Sequence, residues 1–118
     1  MEARAVQKYI RNSPMKVRRV INLVRDRSVP EAINILSFMP QKPTEVVEKT
    51  IRSAVFNLMD KHDERFDESE LVIKEIRADE GPTFKRFKAA ARGRAKPIRK
   101  RTTHLTVVVE VREREPVA

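Results

Sequence analysis

Nine basic side chains and no acidic one stand between Gly81 and Val109: Lys85, Arg86, Lys88, Arg92, Arg94, Lys96, Arg99, Lys100 and Arg101. Cations at this density repel one another in water, and a phosphate backbone removes that repulsion while releasing condensed counterions. If about six phosphates are neutralised, log K falls with log salt with a slope of roughly −4 to −5. Phe84 and Phe87 stand among these charges, where a base or sugar can stack on them, or where they can tuck back onto the domain edge. Gly93, between Arg92 and Arg94, admits a positive φ or the close approach of a ligand backbone. A smaller concentration follows Ser13-Pro14, where Lys16, Arg18, Arg19 and Arg25 offer either further phosphate contacts or an ordinary solvated helix face.

Catalytic chemistry finds little to work with. There is no cysteine, which removes disulfides, thiolate metal sites and cysteine nucleophiles together. His62 and His104 are the only histidines, and neither has the spacing of a ligand set. The acidic run from Asp60 to Glu70 lacks the spaced ligands and central glycine of a calcium loop and reads as a solvated loop. No Gly-rich phosphate loop precedes a helix, and no nucleophile elbow is present. No metal, cofactor or enzymatic activity is expected.

The charge is unevenly placed. Residues 1–80 hold 15 basic and 14 acidic side chains and residues 110–118 hold two and three, so the segment 81–109 accounts for the whole net charge of +9. Within the first part, residues 1–27 carry eight basic and two acidic groups, whereas 28–80 carry seven and twelve. The chain reads basic, acidic, strongly basic. Its 118 residues suit one domain, 1–118. With six aromatic residues and no tryptophan, aliphatic side chains must fill the core. Basic residues interrupt every apolar run near the N-terminus, so neither a signal peptide nor a membrane span is expected, and the chain reads as soluble and intracellular.

The elements that must position these residues follow from periodicity. Residues 3–11 are predicted as a strand of imperfect alternation. Ser13-Pro14 marks a helix start, with the Ser13 side chain as cap, and Val17, Val20, Ile21 and Val24 give its apolar stripe. Ser28 and Glu31 have capping-box spacing for a second helix, faced by Ala32, Leu36 and Met39 and ended by Pro40. A longer third helix begins near Pro43-Thr44 with Val47, Ile51, Ala54, Val55 and Leu58 inward. Its Glu45–Lys49 and Glu48–Arg52 spacings favour ion pairs of about 0.3 kcal/mol each. Leu71 to Ala78 is a β-branched strand. Leu105, Val107, Val109 and Val111 alternate with Thr106, Val108, Glu110 and Arg112 in the clearest strand of the chain.

The fold class is therefore α+β, with three helices packed on a small antiparallel three-stranded sheet. Between the last two strands, at about residues 80–103, lies a stretch without core periodicity, longer than a compact domain keeps without a use for it. Folded back on itself with about ten residues per leg, it reaches roughly 30 Å and forms a projecting β-hairpin arm.

Gly81-Pro82-Thr83-Phe84-Lys85-Arg86, Arg92-Gly93-Arg94-Ala95 and the run from Ile98 to Val109 strongly resemble the bacterial-type large-ribosomal-subunit protein twenty-two family. The resemblance extends through Ser13-Pro14-Met15-Lys16-Val17-Arg18, Val24-Arg25, Ala32 to Leu36, Glu48-Lys49 and Ser53-Ala54, so it covers nearly the whole chain in order. It implies an rRNA-binding protein of the large subunit, in the cytoplasm of a bacterium or in an organelle, that assists assembly early. Its partners would be large-subunit rRNA, neighbouring large-subunit proteins and the nascent polypeptide, and away from the ribosome it would be monomeric. The arm would thread rRNA to the exit-tunnel wall, with Phe84, Lys85, Arg86, Ala90, Ala91, Arg92, Gly93 and Arg94 lining the tunnel. The chain departs from the usual pattern at Met15, where arginine is frequent, and at Asp26, where glycine is common. It departs again at Ala89-Ala90-Ala91 instead of Pro-Arg-Ala, and at Lys96-Pro97 instead of Asp-Arg.

Two other readings fit the residues less well. A DNA-architectural protein inserting a basic β-arm into a minor groove favours an apolar or proline wedge at the tip, and this tip is alanine. A metal-dependent hydrolase would require convergent ligands around the acidic run, which the sequence does not display.

Overall fold

The central strand of the sheet is the last of the described strands. In the computed structural model β1 (Glu2–Ile10) and β2 (Leu71–Glu80) both pair antiparallel with β5 (Thr103–Val111), giving the order β1-β5-β2. Three helices lie between β1 and β2 in sequence: α1 (Pro14–Val24), α2 (Val29–Ser37) and α3 (Pro43–His62). Two further strands, β3 (Phe84–Ala89) and β4 (Ala95–Lys100), pair, among the described residues, only with each other. The structure describes the backbone of residues 2–62, 67–89 and 95–111, and their side chains apart from Glu68 and residues 84–99.

The core forms where the predicted stripes meet. Val17, Val20, Ile21 and Val24 of α1, Val47, Ile51, Ala54 and Leu58 of α3, and Leu105, Val107 and Val109 of β5 are fully buried in one cluster. Ala32 and Leu36 of α2 join it, with Met39 packed at its margin. α3 packs on β1 and β5, and α1 on β2, so the helices cover one face of the sheet. The expected α+β architecture of three helices on a three-stranded antiparallel sheet is the one observed. The i,i+4 pairs of α3 form as their spacing predicts, Lys49–Glu45 and Arg52–Glu48 both at 3.1 Å.

Two β-bulges keep the apolar residues of the edge strands in phase. In β2, Leu71 and Ile73 face the core, and then Ile76 and Ala78 do. The break falls where Ile73 pairs with Val109 and Glu75 with Val108, leaving Lys74 as the extra residue. In β1, Ala3 and Ala5 face inward and so does Ile10, because Lys8 and Tyr9 together oppose His104 between the pairs Gln7–Leu105 and Ile10–Thr103. The imperfect alternation of the first strand is this bulge. Tyr9 adopts φ 59° there, a left-handed conformation costing a non-glycine residue roughly 1–2 kcal/mol. Contacts hold it in place: its N–H donates to His104 Nδ1 at 3.1 Å, and the two rings meet edge to face at 5.0 Å.

Several local expectations are corrected. Ser13 and Ser28 occupy the N-cap positions of α1 and α2, but neither side chain caps. The connector before α2 is instead sewn to the sheet through a Ser28–Val72 bridge and the Ile73 N–H bonded to Arg27 O. Glu31 closes no capping box; it pairs with Arg27 one turn back at 2.6 Å. α2 stops at Ser37, before Pro40, its end satisfied by the Phe38 N–H. The expected loop at 60–70 is part helix, since α3 runs to His62 and a 3-10 turn spans Glu68–Glu70; residues 63–66 lie outside the described residues.

After α1 the chain reverses through Arg25, at φ −62° and ψ 136°, and Asp26, at φ 62°, with the Arg27 N–H bonded to Val24 O at 3.3 Å. That is a type II turn, whose third residue favours glycine or asparagine. Asp26→Gly is expected to stabilise the protein by about 0.5–1 kcal/mol, relief of the left-handed strain outweighing the greater unfolded-state entropy of glycine. A rise in the urea midpoint at unchanged m-value checks this; a fall would mean that the aspartate carboxylate holds the turn.

Candidate nucleic-acid interface

The arm grows out of the β2–β5 pair. Gly81 N–H donates to Thr102 O at 2.9 Å and Thr102 Oγ1 donates to Pro82 O at 2.6 Å, so the two legs are bonded before the ladder of β3 and β4 begins. Gly81 is required here: a Cβ would stand 2.5 Å from Thr102 Oγ1 and about 3 Å from the His104 ring. On the β1 side, Thr103 Oγ1 donates to Asn12 O at 2.6 Å. The root is thus clamped to the body from both flanks.

Beyond the root, Cα pairing runs from Phe84–Lys100 to Ala89–Ala95. Six residues per leg at strand rise give about 20 Å of described ladder; residues 90–94, at its far end, lie outside the described residues, and 81–83 and 101–102 belong to the root. The register sets Lys85 opposite Arg99 and Lys88 opposite Lys96. Like charges directly opposite in an antiparallel pair destabilise it, and a lone two-stranded ribbon is marginal to begin with. Pro97 stands opposite Phe87 and contributes no ladder N–H. The Cα radius of gyration of 18.0 Å, against roughly 13 Å for a compact chain of this length, agrees with a projecting element.

Of the sequence-predicted residues, Lys85, Arg86, Lys88, Lys96 and Arg99, with Phe84, are placed on β3 and β4 by backbone only. Ala90, Ala91, Arg92, Gly93 and Arg94 lie outside the described residues. Lys100 and Arg101 are exposed at the root.

The α1 cations do not form one face. Helical geometry puts Lys16 and Arg19 on one flank of the buried stripe and Arg18 and Arg25 on the other. Arg18 reaches the sheet, its Nε and Nη2 donating to Ala78 O at 3.2 and 3.0 Å, which commits two of its five donors to fastening α1 beside the arm root. Arg25 reaches Asn22, at 3.4 Å, and no other partner among the described residues. Lys16 and Arg19 are exposed and join no ion pair among the described residues.

Part of the positive charge on the body is matched locally. Lys74 bonds Glu2 at 2.6 Å, and Arg77 bonds Glu75 at 3.0 Å and Asp79 at 3.2 Å. The hydrogen bond and charge of Lys74 hold the Glu2 carboxyl below its ordinary range, and Glu2 raises Lys74 in return. Both groups are exposed, so salt screens the pair. His62 closes α3 with its Nε2 buried and unbonded among the described residues, and no group of three metal-binding side chains gathers among them. No helix among the described residues is long and apolar enough to cross a membrane.

Sequence reasoning missed the root. Thr102, Thr103 and His104 lie in the run that carries the resemblance, but nothing in that run tells what they bond, and their bonds to Pro82, Asn12 and Tyr9 join positions up to 95 residues apart. The one available signal was the phase break between Ala5 and Ile10.

Against known proteins, the family model described as ribosomal protein L22p/L17e matches residues 5–110. The large ribosomal subunit protein uL22 of Salinibacter ruber is 75% identical over 116 residues, covering 98% of this chain and 96% of that protein. The proteins of that name from Desulfitobacterium hafniense and from a Synechococcus species are each 50% identical. Their alignments cover 92% and 97% of this chain and 93% and 91% of their own lengths.

Proposed function

The chain belongs to the ribosomal protein L22p/L17e family, and on that premise we propose that residues 1–118 act as one unit that binds large-subunit rRNA, chiefly through the arm. The family is one of ribosomal structural proteins, not of enzymes. The observation that carries the reading is the placement of charge: the whole net +9 falls on 81–109, a segment with no carboxylate of its own, built around a ladder with cation opposite cation. Phosphates crossing that ladder supply the missing anions and release counterions. Phe84 and Phe87 add stacking surface for bases or sugars.

In this reading the protein works in the cytoplasmic large ribosomal subunit, beside neighbouring large-subunit proteins, and binds early enough to assist assembly. The root fixes where the arm leaves the body, and the arm reaches through rRNA to the exit tunnel. There Phe84, Lys85 and Arg86 on one leg, with Ala90, Ala91, Arg92, Gly93 and Arg94, meet the nascent polypeptide. Lys16, Arg18, Arg19 and Arg25 add contacts from α1 on its two flanks, and the free protein is monomeric.

Purified protein is expected to bind structured large-subunit rRNA far more tightly than duplex DNA at matched physiological salt, and to stay with large subunits through a high-salt wash. Equal affinity for the two nucleic acids in direct competition would overturn the ribosomal reading and favour a general nucleic-acid binder.

A further inference from the structure

The bulge in β1 does more than re-phase a strand. It swells the edge of the sheet where the arm departs, and the two side chains beside it that carry charge are Lys8 and Arg11. Lys8 is one of the two residues opposing His104. Arg11 lies between Ile10, which pairs with Thr103, and Asn12, whose carbonyl accepts the Thr103 hydroxyl. Arg101 and Lys100 precede Thr103 by two and three residues. All four cations are exposed, and none joins an ion pair among the described residues. This contrasts with Arg27, Lys49, Arg52, Lys74 and Arg77, each of which sits against a carboxylate at 2.6–3.1 Å.

The acidic groups at this end of the sheet lie on the far flank. Asp79 and Glu80 pair with His104 and Thr103 from β2, and β5 separates β2 from β1. Two strand spacings are about 10 Å, on the order of a Debye length or more at physiological salt. Asp79 is in addition held by Arg77 at 3.2 Å. The root is therefore one-sided, cationic toward β1 and charge-balanced toward β2, where Arg77 and Arg18 stand beside Asp79 and Glu80.

We propose that the β1 flank of the arm root, with Lys8 and Arg11 added to Lys100 and Arg101, is a phosphate-backbone contact that seats RNA where the arm leaves the body. This rests on the rRNA-binding reading above and extends it to two residues that lie outside the acid-free segment 81–109 and outside the α1 group of Lys16, Arg18, Arg19 and Arg25. Phosphate contacts fix register and orientation without reading sequence. An RNA strand held at the clamped root sets the direction in which the arm enters, something a contact farther along the ribbon cannot do.

The test uses the full chain and protein-free, transcribed large-subunit rRNA, with Kd measured across a potassium chloride series. Lys8→Gln with Arg11→Gln is expected to flatten the log K against log salt slope by roughly 1.4–1.8, two contacts at about 0.7–0.9 each, and to weaken binding on the order of tenfold. Lys49→Gln with Arg52→Gln removes the same charge from carboxylate-paired positions on α3 and is expected to leave the slope unchanged. Lys8→Arg with Arg11→Lys, which keeps the charge, should bind as the parent does. Equal effects of the root and α3 variants would overturn the proposal and leave only net charge as the cause. Should the double variant melt early, Arg11→Gln alone, outside any strand, carries the test with about half the slope change. Failure of the unaltered chain to prefer rRNA over duplex DNA sinks the functional reading itself, an outcome separate from a root variant that binds like its parent.

Discussion

A chain in which residues 85–99 are replaced by Asn-Gly is expected to fold and melt cooperatively but to lose rRNA affinity by about three orders of magnitude at physiological salt. The splice is geometrically sound because Phe84 and Lys100 are Cα partners in an antiparallel ladder, the geometry a two-residue turn closes. Folding should survive, since every buried residue of the core cluster lies outside the excised span, and the clamp of Gly81, Pro82 and Thr102 is kept. The excised span carries seven cations: Lys85, Arg86, Lys88, Arg92, Arg94, Lys96 and Arg99. If most meet phosphates, the salt slope flattens by roughly five as well. Filter binding across a salt series and a thermal melt decide the matter. Retained affinity would shift the grip to the body; a lost melting transition would make the arm part of the core.

The largest effect on stability is expected at the centre of β5. Leu105 is fully buried between Gln7 of β1 and Ala78 of β2, on the face covered by helices. Leu105→Ala should cost about 3 kcal/mol, the transfer of the lost methyl groups plus a cavity that surrounding strands cannot close. In a chain of this length that lowers Tm by roughly 10–15 °C. Val108, three residues on, faces the uncovered side and is only half-buried. Val108→Ala should cost under about 1 kcal/mol. Similar losses at both positions would mean that the open face of the sheet is packed too.

The contrast between these two valine- and leucine-rich neighbours was readable in the sequence, because strict alternation from Leu105 to Val111 leaves one face to bury. The helix stripes were readable for the same reason, and Val17, Val20, Ile21, Val24, Ile51 and Leu58 lie where their periods put them. What stayed hidden has a common cause. Arg18 looks like any solvated arginine until β2 supplies the Ala78 carbonyl. Tyr9 and His104 interact across most of the chain length. Ser28 has the residue types of a capping box, but its side chain makes no cap bond, and the chain beside it is fastened to β2 by the Ile73 N–H to Arg27 O. Each was decided by a partner distant in sequence. The phase break from Ile73 to Ile76 is the exception, since that bulge was written in the spacing and can be sought in other edge strands. For the candidate interface, the acid-free segment was plain, whereas the opposition of Lys85 to Arg99 and Lys88 to Lys96 needed the register, and the one-sided root needed the β1 bulge.

The strand order has a consequence for how the chain comes to be. β1 precedes every other described element and β5 follows them all, yet among the described residues β1 pairs with β5 alone, and the three-stranded sheet cannot close until residues 103–111 are available. During synthesis α1, α2 and α3 can dock on one another while β1 and β2 wait with unpaired backbone edges, the condition that invites wrong partners. The sheet is complete only with β5 in place, and β5 continues directly from the returning leg of the arm, so closing the sheet and fixing the root of the hairpin depend on the same strand.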